Sequence, residues 1–464
     1  MMSSASTRLT NESLADIQGF ITSGYGHLRS AAYLFMRMND AVGGKHWIRA
    51  LEPSISSSRP WPVDARGQKA RPASAVNVAF TAAGLGACGL PATALCTFPT
   101  EFQEGIAAPH RSRILGDTDE SAPASWEIGG PDREFHALVL MHAEDEPGLE
   151  RMLGDQRALI GQSGGAVTEV PGTLQRGYRP ETDVEPFGFH DGVSQPRIAG
   201  ISGQGVPTGE FILGYENHYG LIPPTPVVPS DLDPEGLLST LANPYHAQGA
   251  WRDLGRHGSF VVYRKLRQDV VGFWAFMKEE AIRAGRGADP AYMVWLASKC
   301  VGRWPSGAPM VLSPAQDDPR LSDSDDFLYA SDADGLACPL GAHVRRTNPR
   351  DVIKPYPQAQ SLSMSEAHRV IRRGRTFGPS LFDPRLLREP STDASRRTLL
   401  DLVDDGQPRG VHFFCVNASI RSQFEFVQQT WCNNPRINAL RDNKDPVAGD
   451  HGGEGQPASY MTIP

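Results

Sequence analysis

The sequence lacks the features that would place it in a membrane, on a nucleic acid or around a simple metal ion. No window of its 464 residues approaches the roughly eighteen uninterrupted apolar positions of a membrane span. No run of consecutive lysine and arginine stands out, so neither a membrane nor a nucleic-acid partner is expected. Cysteine is sparse: Cys88, Cys96, Cys300, Cys338, Cys415 and Cys432 are scattered without C-x-x-C spacing. That pattern reads as reduced thiols, not a zinc site or a disulfide framework. The polar stretch from Met1 to Asp16 has no apolar centre of a secretory leader, which makes a cytoplasmic location the expectation. Dinucleotide-binding, P-loop, H-E-x-x-H and EF-hand patterns are also missing.

What remains is a soluble globular composition, 40% hydrophobic and 21% charged, with a formal net charge of -8. The length allows more than one domain. Strands are expected at Ala31–Met38, Ala75–Phe80, His136–His142, Ser259–Leu266 and Val411–Val416. Helices are expected at Thr81–Leu90, Pro147–Leu153, Asp269–Arg283, Pro290–Val301 and Ala418–Trp431, several with apolar residues at helical spacing. Strands separated by long insertions and returning helices indicate α+β layers, not a doubly wound parallel sheet. Two Gly- and Pro-rich stretches, Glu169–Pro229 and Trp304–Pro379, are where functional loops are expected. The polar, Gly-rich chain from Asp442 onward reads as a surface tail.

Gly161-Gln162-Ser163-Gly164-Gly165 matches a hydrolase nucleophile elbow, but a helix-like segment precedes it and a strand-like one follows, the reverse of what that turn requires. A flexible turn is the better reading. Three other clusters have no local explanation. The first, Phe187-Gly188-Phe189-His190-Asp191-Gly192, is by itself compatible with a plain Asp-Gly turn. The second runs from Ala342-His343 through Arg345 to Asn348-Pro349-Arg350, and a lone histidine in such a setting is more often a loop residue than a ligand. The third, His368-Arg369-Val370-Ile371-Arg372-Arg373-Gly374 to Phe377-Gly378-Pro379, taken alone reads as a solvated basic face.

In this order the three clusters resemble the signature segments of dye-decolourising peroxidases: G-x-x-D-G, A-H-x-R-x-x-N-P-R and R-x-G-x-x-[FY]-G-P. Further matched stretches, Asp16–Gly19, Gly209–Tyr215, Gly302–Gly307 and Phe424–Trp431, extend the likeness over most of the chain, toward the larger members with extended loops. Those longer members usually continue beyond the equivalent of Tyr460–Pro464.

The resemblance implies two ferredoxin-like domains of the dimeric α+β barrel type, with antiparallel sheets and peripheral helices. They are expected at 1–225, ending with the distal loop, and 226–464, which holds most of a haem cavity. It implies one haem b per chain, with His343 as axial iron ligand, Asp191 and Arg372 as the distal acid and arginine, and Arg350 as a propionate partner. Phe189 and Gly192 are expected to contact the cofactor. Glu425, on a helix after a C-terminal strand, is the candidate partner for the second His343 nitrogen, with a plain exposed position as the equal alternative. His190 and His368 are assigned structural roles.

The chemistry fits these residue types. A neutral imidazole leaves iron five-coordinate, a carboxylate can shuttle the peroxide proton, and an arginine supplies fixed positive charge as the O–O bond breaks. A ferryl haem would then be restored by two one-electron donors, dyes or phenols, as a monomer or homodimer, with an optimum on the acidic side. Two other readings stay open: haem handling, including iron removal, in the same fold, and a cofactor-free α+β binding module in which the clusters are only turns.

Overall fold

The computed structural model describes residues 9–241, 250–388, 398–451 and 460–464. The first eight residues of the polar opening and residues 452–459 of the Gly-rich tail lie outside them. The molecule has a two-domain α+β fold.

Aliphatic residues dominate the strands of the first unit: β1 (Ser30–Met38), β2 (Ser74–Phe80), β3 (Ala137–Ala143), β4 (Val167–Glu169) and β5 (Gln175–Tyr178). They pair antiparallel in the order β2-β3-β1-β5, with Val78 opposite Val139, Val139 opposite Leu34, and Ala32 opposite Arg176. The short β4 pairs with the far end of β1. Two helices, Ala41–Leu51 and Glu146–Gln162, join these strands, giving the β-α-β-β-α-β order of a ferredoxin-like unit. Both helices start at an aspartate: Asp40 accepts from the Gly43 N–H at 2.6 Å and Asp145 from the Gly148 N–H at 2.8 Å. Leu34, Met36 and Met38 of β1 pack with Trp47, Leu51, Leu149 and Leu153 from these helices.

The second helix runs well beyond the expected Pro147–Leu153, because Leu159 and Ile160 also pack against this core. It carries the chain into Gly161–Gly165. There Ser163 Oγ donates to the Val167 carbonyl at 3.2 Å and accepts its N–H at 3.0 Å. The nucleophile-elbow pattern is therefore a helix-end turn. A small strand pair, β6 (Val227–Pro229) with β7 (Trp251–Asp253), completes this unit's β-structure.

The remaining strands are β8 (Phe260–Arg267), β9 (Ile371–Arg372), β10 (Arg375–Phe377) and β11 (Gly410–Asn417), most of whose residues fall in the second unit, with β11 between β10 and β8 and β9 also paired to β11. Helices Val270–Arg283 and Pro290–Val301 cover a core containing Trp274, Met277, Met293, Val294, Trp304 and Met310. The expected helix at Ala418–Trp431 is wound more widely, as π-helical turns over Arg421–Glu425 and Val427–Cys432.

The compact units are Met1–Tyr178 with Pro196–Val262 and Cys415–Arg421, and Arg179–Gln195 with Tyr263–Phe414 and Ser422–Pro464. They interleave along the chain, so one cut between 225 and 226 does not divide them. The loop of Asp191, expected to close the first domain, belongs to the second. Its anchors explain this: Trp274 Nε1 donates to the Phe187 carbonyl at 3.2 Å and Gln268 Nε2 to Glu185 Oε2 at 2.5 Å. Among the described residues, no helix is long and apolar enough to cross a membrane.

Two helical glycines give a test of the first unit's packing. A β-carbon on Gly84 would lie 1.9 Å from the His136 carbonyl oxygen, whereas one on exposed Gly154 meets nothing within 4 Å. Gly84→Ala is expected to cost about 1–3 kcal/mol of stability. Gly154→Ala is expected to add about 0.5–1 kcal/mol. Chemical denaturation of the two variants reads both signs.

Candidate active site

His343 opens a five-residue helix, His343–Thr347, directly after the turn that carries Cys338 and Pro339. Its Nδ1 lies 2.9 Å from Asp445 Oδ2 and 3.1 Å from Oδ1. Asp445 is fully buried and also accepts the N–H groups of Val447 and Ala448 at 2.8 and 2.9 Å. Burial by itself would push the His343 pKa down, but the Asp445 carboxylate more than offsets this and raises it above the ordinary histidine value. Burial would likewise push the Asp445 carboxyl up, yet His343 and the two backbone donors hold it below the usual carboxylate range. The hydrogen bond fixes the tautomer: Nδ1 donates to Asp445, so Nε2 is left for other work.

Asp445 thus occupies the place expected of Glu425. Glu425 is buried on the π-helical segment, not exposed. Asp445 falls in the stretch read as a surface tail and stands 102 residues from His343. No local pattern in the sequence marks it. What places it is Arg346, three residues after His343 on the same short helix. Its fully buried guanidinium donates to the carbonyls of Trp431, Asn443, Asn434 and Cys432, at 2.8, 2.7, 2.7 and 3.3 Å.

Asp191 and Arg372 come together in the same unit. Arg372 Nη1 donates to Asp191 Oδ1 at 2.8 Å, and the Arg372 N–H is accepted by Gln195 Oε1 at 3.0 Å. Asp191 Oδ1 also accepts the Gly192 N–H at 2.6 Å, while Oδ2 has no hydrogen bond among the described residues. Gly188 and Gly192 have φ of 102° and 84°, a conformation that favours glycine at both turns of the loop. Burial would raise the Asp191 pKa, but the Arg372 charge and its hydrogen bond outweigh that and lower it. Arg372 and Asp191 both act electrostatically on His343. All three side chains are partly accessible: 30% of His343, 47% of Asp191 and 34% of Arg372.

Glu185, which the sequence reading passed over, shapes the loop from inside. Its carboxylate accepts the Phe187 and Phe189 N–H groups at 2.9 Å, and burial pushes its pKa up to about 7. Phe189, expected near the cofactor, is 3% exposed and packs in the hydrophobic core. His190 Nδ1 reaches the Ser306 carbonyl at 3.1 Å and His368 Nδ1 the Ser422 carbonyl at 2.5 Å. Arg350, the expected propionate partner, is bonded within the protein. Its guanidinium donates to Asp325 Oδ1 at 2.5 Å and to the Asp325 and Phe327 carbonyls at 2.9 and 3.0 Å, and lies 4.0 Å from the Phe327 ring centre. Protein groups already engage the side chain expected to meet a propionate.

The sign of the Asp445 shift sets a stability test on the protein without added cofactor. A carboxyl lowered by folding contributes stability that is fully present above its unfolded pKa of about 3.9 and is lost as pH falls through the lower folded value. Asp445→Asn is expected to be about 1–3 kcal/mol less stable near neutrality and to lose less on acidification. Denaturation midpoints between neutral and acidic pH measure both; equal acid sensitivity in the two proteins would show that Asp445 carries no such load.

No protein-family model matches the chain. It is similar to the dye-decolorizing peroxidase of Mycena epipterygia, with 31% identity over 396 residues, which is 82% of this chain and 64% of that protein. The chain therefore spans just under two thirds of that relative's length. In three dimensions it resembles an ancestral D-type dye decolorizing peroxidase, with a TM-score of 0.70 and 26% identity over 96% of this chain and 89% of the other. A dye-decolorizing peroxidase in complex with 2,6-dimethoxyphenol gives 0.67 and 26%, over 94% and 89%. Fold, sequence and named relatives agree across most of the chain in their likeness to dye-decolorizing peroxidases, a family of haem enzymes.

Proposed function

We propose that the protein is a haem-dependent peroxidase that reduces hydrogen peroxide to water at the expense of dyes or phenolic donors. One haem b per chain would be held by His343. The observation that carries this reading is the pairing of Asp191 with Arg372 beside a histidine whose other nitrogen is committed to a buried carboxylate.

The residues fit the cofactor. His343 offers one nitrogen, and among the described residues no group of three or more His, Cys, Asp or Glu side chains could hold a bare metal ion. A metal at His343 must bring its other ligands with it, as porphyrin iron does. Bound haem supplies the electrons that cleave the O–O bond and regains them one at a time from the donor.

The protein's share is positioning and charge. Asp445 makes the His343 imidazole a stronger donor and prevents its rotation. Asp191 Oδ2 takes a proton from one peroxide oxygen and returns it to the other, which leaves as water. Arg372 stays protonated throughout and holds positive charge against the oxygen charge that grows as the O–O bond lengthens. The same guanidinium keeps Asp191 in its base form at acidic pH. The bond from the Gly192 N–H keeps Oδ1 occupied, which directs proton transfer to Oδ2.

Absorption spectra of the haemin-loaded protein test the reading: a Soret band, a spectral change with an equivalent of peroxide, and recovery on adding 2,6-dimethoxyphenol. Absence of the peroxide response in a haem-loaded protein would favour haem handling over peroxidase activity. Asp191→Asn is expected to lower kcat/KM for peroxide on the order of 10²–10⁴-fold.

The pH profile follows from the sign of the Asp191 shift. Activity needs the carboxylate, so it persists below the ordinary carboxylate pKa and falls only as pH drops through the lowered value. In Arg372→Met, burial is opposed only by the Gly192 N–H and the weaker influence of His190, so the acid limb is expected to move to higher pH, with kcat/KM reduced on the order of 10²–10³-fold. An unmoved acid limb would remove Asp191 as the titrating group.

A further inference from the structure

The loop that presents Asp191 is closed by one residue. Pro186 has no N–H, and the three donors that follow it all go to Glu185: Phe187 to Oε2 and Phe189 to Oε1, both at 2.9 Å, and Gly188 to the backbone carbonyl at 2.8 Å. The Glu185 N–H returns a bond to the Phe189 carbonyl at 3.0 Å, and two residues further on the Asp191 N–H meets the Asp183 carbonyl at 3.0 Å. Asp191 therefore leaves the hairpin at a point set by the way Glu185 gathers the turn. Both carboxylate oxygens are needed for this. A glutamine has one acceptor, and its amide nitrogen would face a backbone N–H.

The carboxylate is itself fastened to the scaffold. Oε2 also accepts from Nε2 of Gln268, just past the end of β8, at 2.5 Å. On the helix that follows, Trp274 Nε1 holds the Phe187 carbonyl at 3.2 Å, and the Phe187 ring stacks on Phe273 with centroids 4.4 Å apart. The loop is thus tied to a junction of strand and helix. Gln268 Oε1 is buried and has no hydrogen-bond partner among the described residues, so the contact with Glu185 decides which way the amide faces. Burial pushes the Glu185 carboxyl up to about 7, with Asp191 adding to the shift against the three donors, so both of its forms occur near neutrality. With a proton on Oε2, the amide can turn and offer Oε1 as an acceptor, and the tie to the scaffold is kept.

We propose that Glu185 is the positioning residue for Asp191: its two oxygens set the turn, Gln268 holds them to the scaffold, and Asp191 Oδ2 is thereby kept where it meets peroxide. The inference rests on the reading of Asp191 as the proton-transfer group and adds to it a residue that never touches the reacting molecule. Misplacing a reacting group by about 1 Å can cost on the order of 10²-fold in rate. A hairpin that loses one of its inner bonds and its tie to Gln268 has room for such a displacement.

The experiment reads the hold and the chemistry separately, on the full chain. Without added haemin, hydrogen–deuterium exchange of the peptide spanning 185–192 is expected to be about 5- to 10-fold faster in Glu185→Gln than in the wild type, and faster by less in Gln268→Met. With haemin loaded, kcat/KM for peroxide is expected to fall about 10- to 100-fold in Glu185→Gln. The kcat/KM for 2,6-dimethoxyphenol, which reports the donor half of the cycle, is expected to stay at the wild-type value. Added to Asp191→Asn, the Glu185→Gln change is expected to lower kcat/KM for peroxide no further, because two residues acting through one group are not additive. Wild-type exchange in both single variants would overturn the proposal. So would a full further loss in the double variant, or an equal fall for peroxide and donor, either of which marks a general defect. A wild type that binds haemin but reduces no peroxide would remove the peroxidase reading, and this proposal with it.

Discussion

The site depends first on a hydrogen bond between residues 102 positions apart, His343 Nδ1 to Asp445. A carboxylate with no accessible surface survives in the interior only if its charge is met, and here an imidazole and two backbone N–H groups meet it. The same bond decides which nitrogen of His343 is free. Neither partner is set by its own neighbours in sequence. The short helix after His343 places Arg346 where four carbonyls of the chain between Trp431 and Asn443 converge, and that grip brings Asp445 back to the histidine. The free nitrogen is therefore tied to the course of the chain from Trp431 to Asp445.

The other side of the site uses charge in a complementary way. Asp191 and Arg372 are each partly accessible and joined by one hydrogen bond, which leaves one carboxylate oxygen and most of the guanidinium's donors for a reacting molecule. In the proposed reaction, the arginine that would stabilise developing oxygen charge is also the group that lowers the Asp191 pKa. Glu185 does the reverse nearby. Partly buried and with its pKa raised to about 7, it accepts from the Phe187 and Phe189 N–H groups and from Gln268, and holds the loop's shape. Two acidic side chains six residues apart thus have opposite tasks, separated by environment and not by residue type.

Much of the fold was legible in the sequence, because periodicity records burial. The strands at Ser30–Met38, Ser74–Phe80 and Gly410–Asn417 and the helix at Val270–Arg283 follow apolar spacing closely. His343, Asp191 and Arg372 were legible only through their motifs, since each cluster alone looks like a turn or a solvated face. Asp445, Glu185 and Arg346 were not legible at all. Their roles come from contacts across long stretches of chain, and a polar, Gly-rich tail gives no sign that it turns inward. Arg350 and Glu425 show the converse: a motif names the residue, but the partner it takes is settled by packing.

These failures share a cause. From Trp304 to Pro379 the second unit has few regular elements, yet that stretch carries His343 and Arg372 and must be rigid to hold them. Regular structure would satisfy its carbonyls through ladders; here buried arginines do so. Arg303 binds the carbonyls of Gly307 and Ser324, Arg345 those of Asp332 and Cys338, and Arg350 those of Asp325 and Phe327. A guanidinium has five donors in a fixed plane, so one side chain can fasten two or three loops that no hydrophobic pattern would bring together. Hydrophobic spacing predicts where the scaffold lies, but this part of the molecule is held by a polar lattice whose members read, in sequence, as an ordinary scatter of surface charge. That is why the His368–Pro379 segment, taken alone, reads as a solvated basic face although its Arg372 is bonded to Asp191.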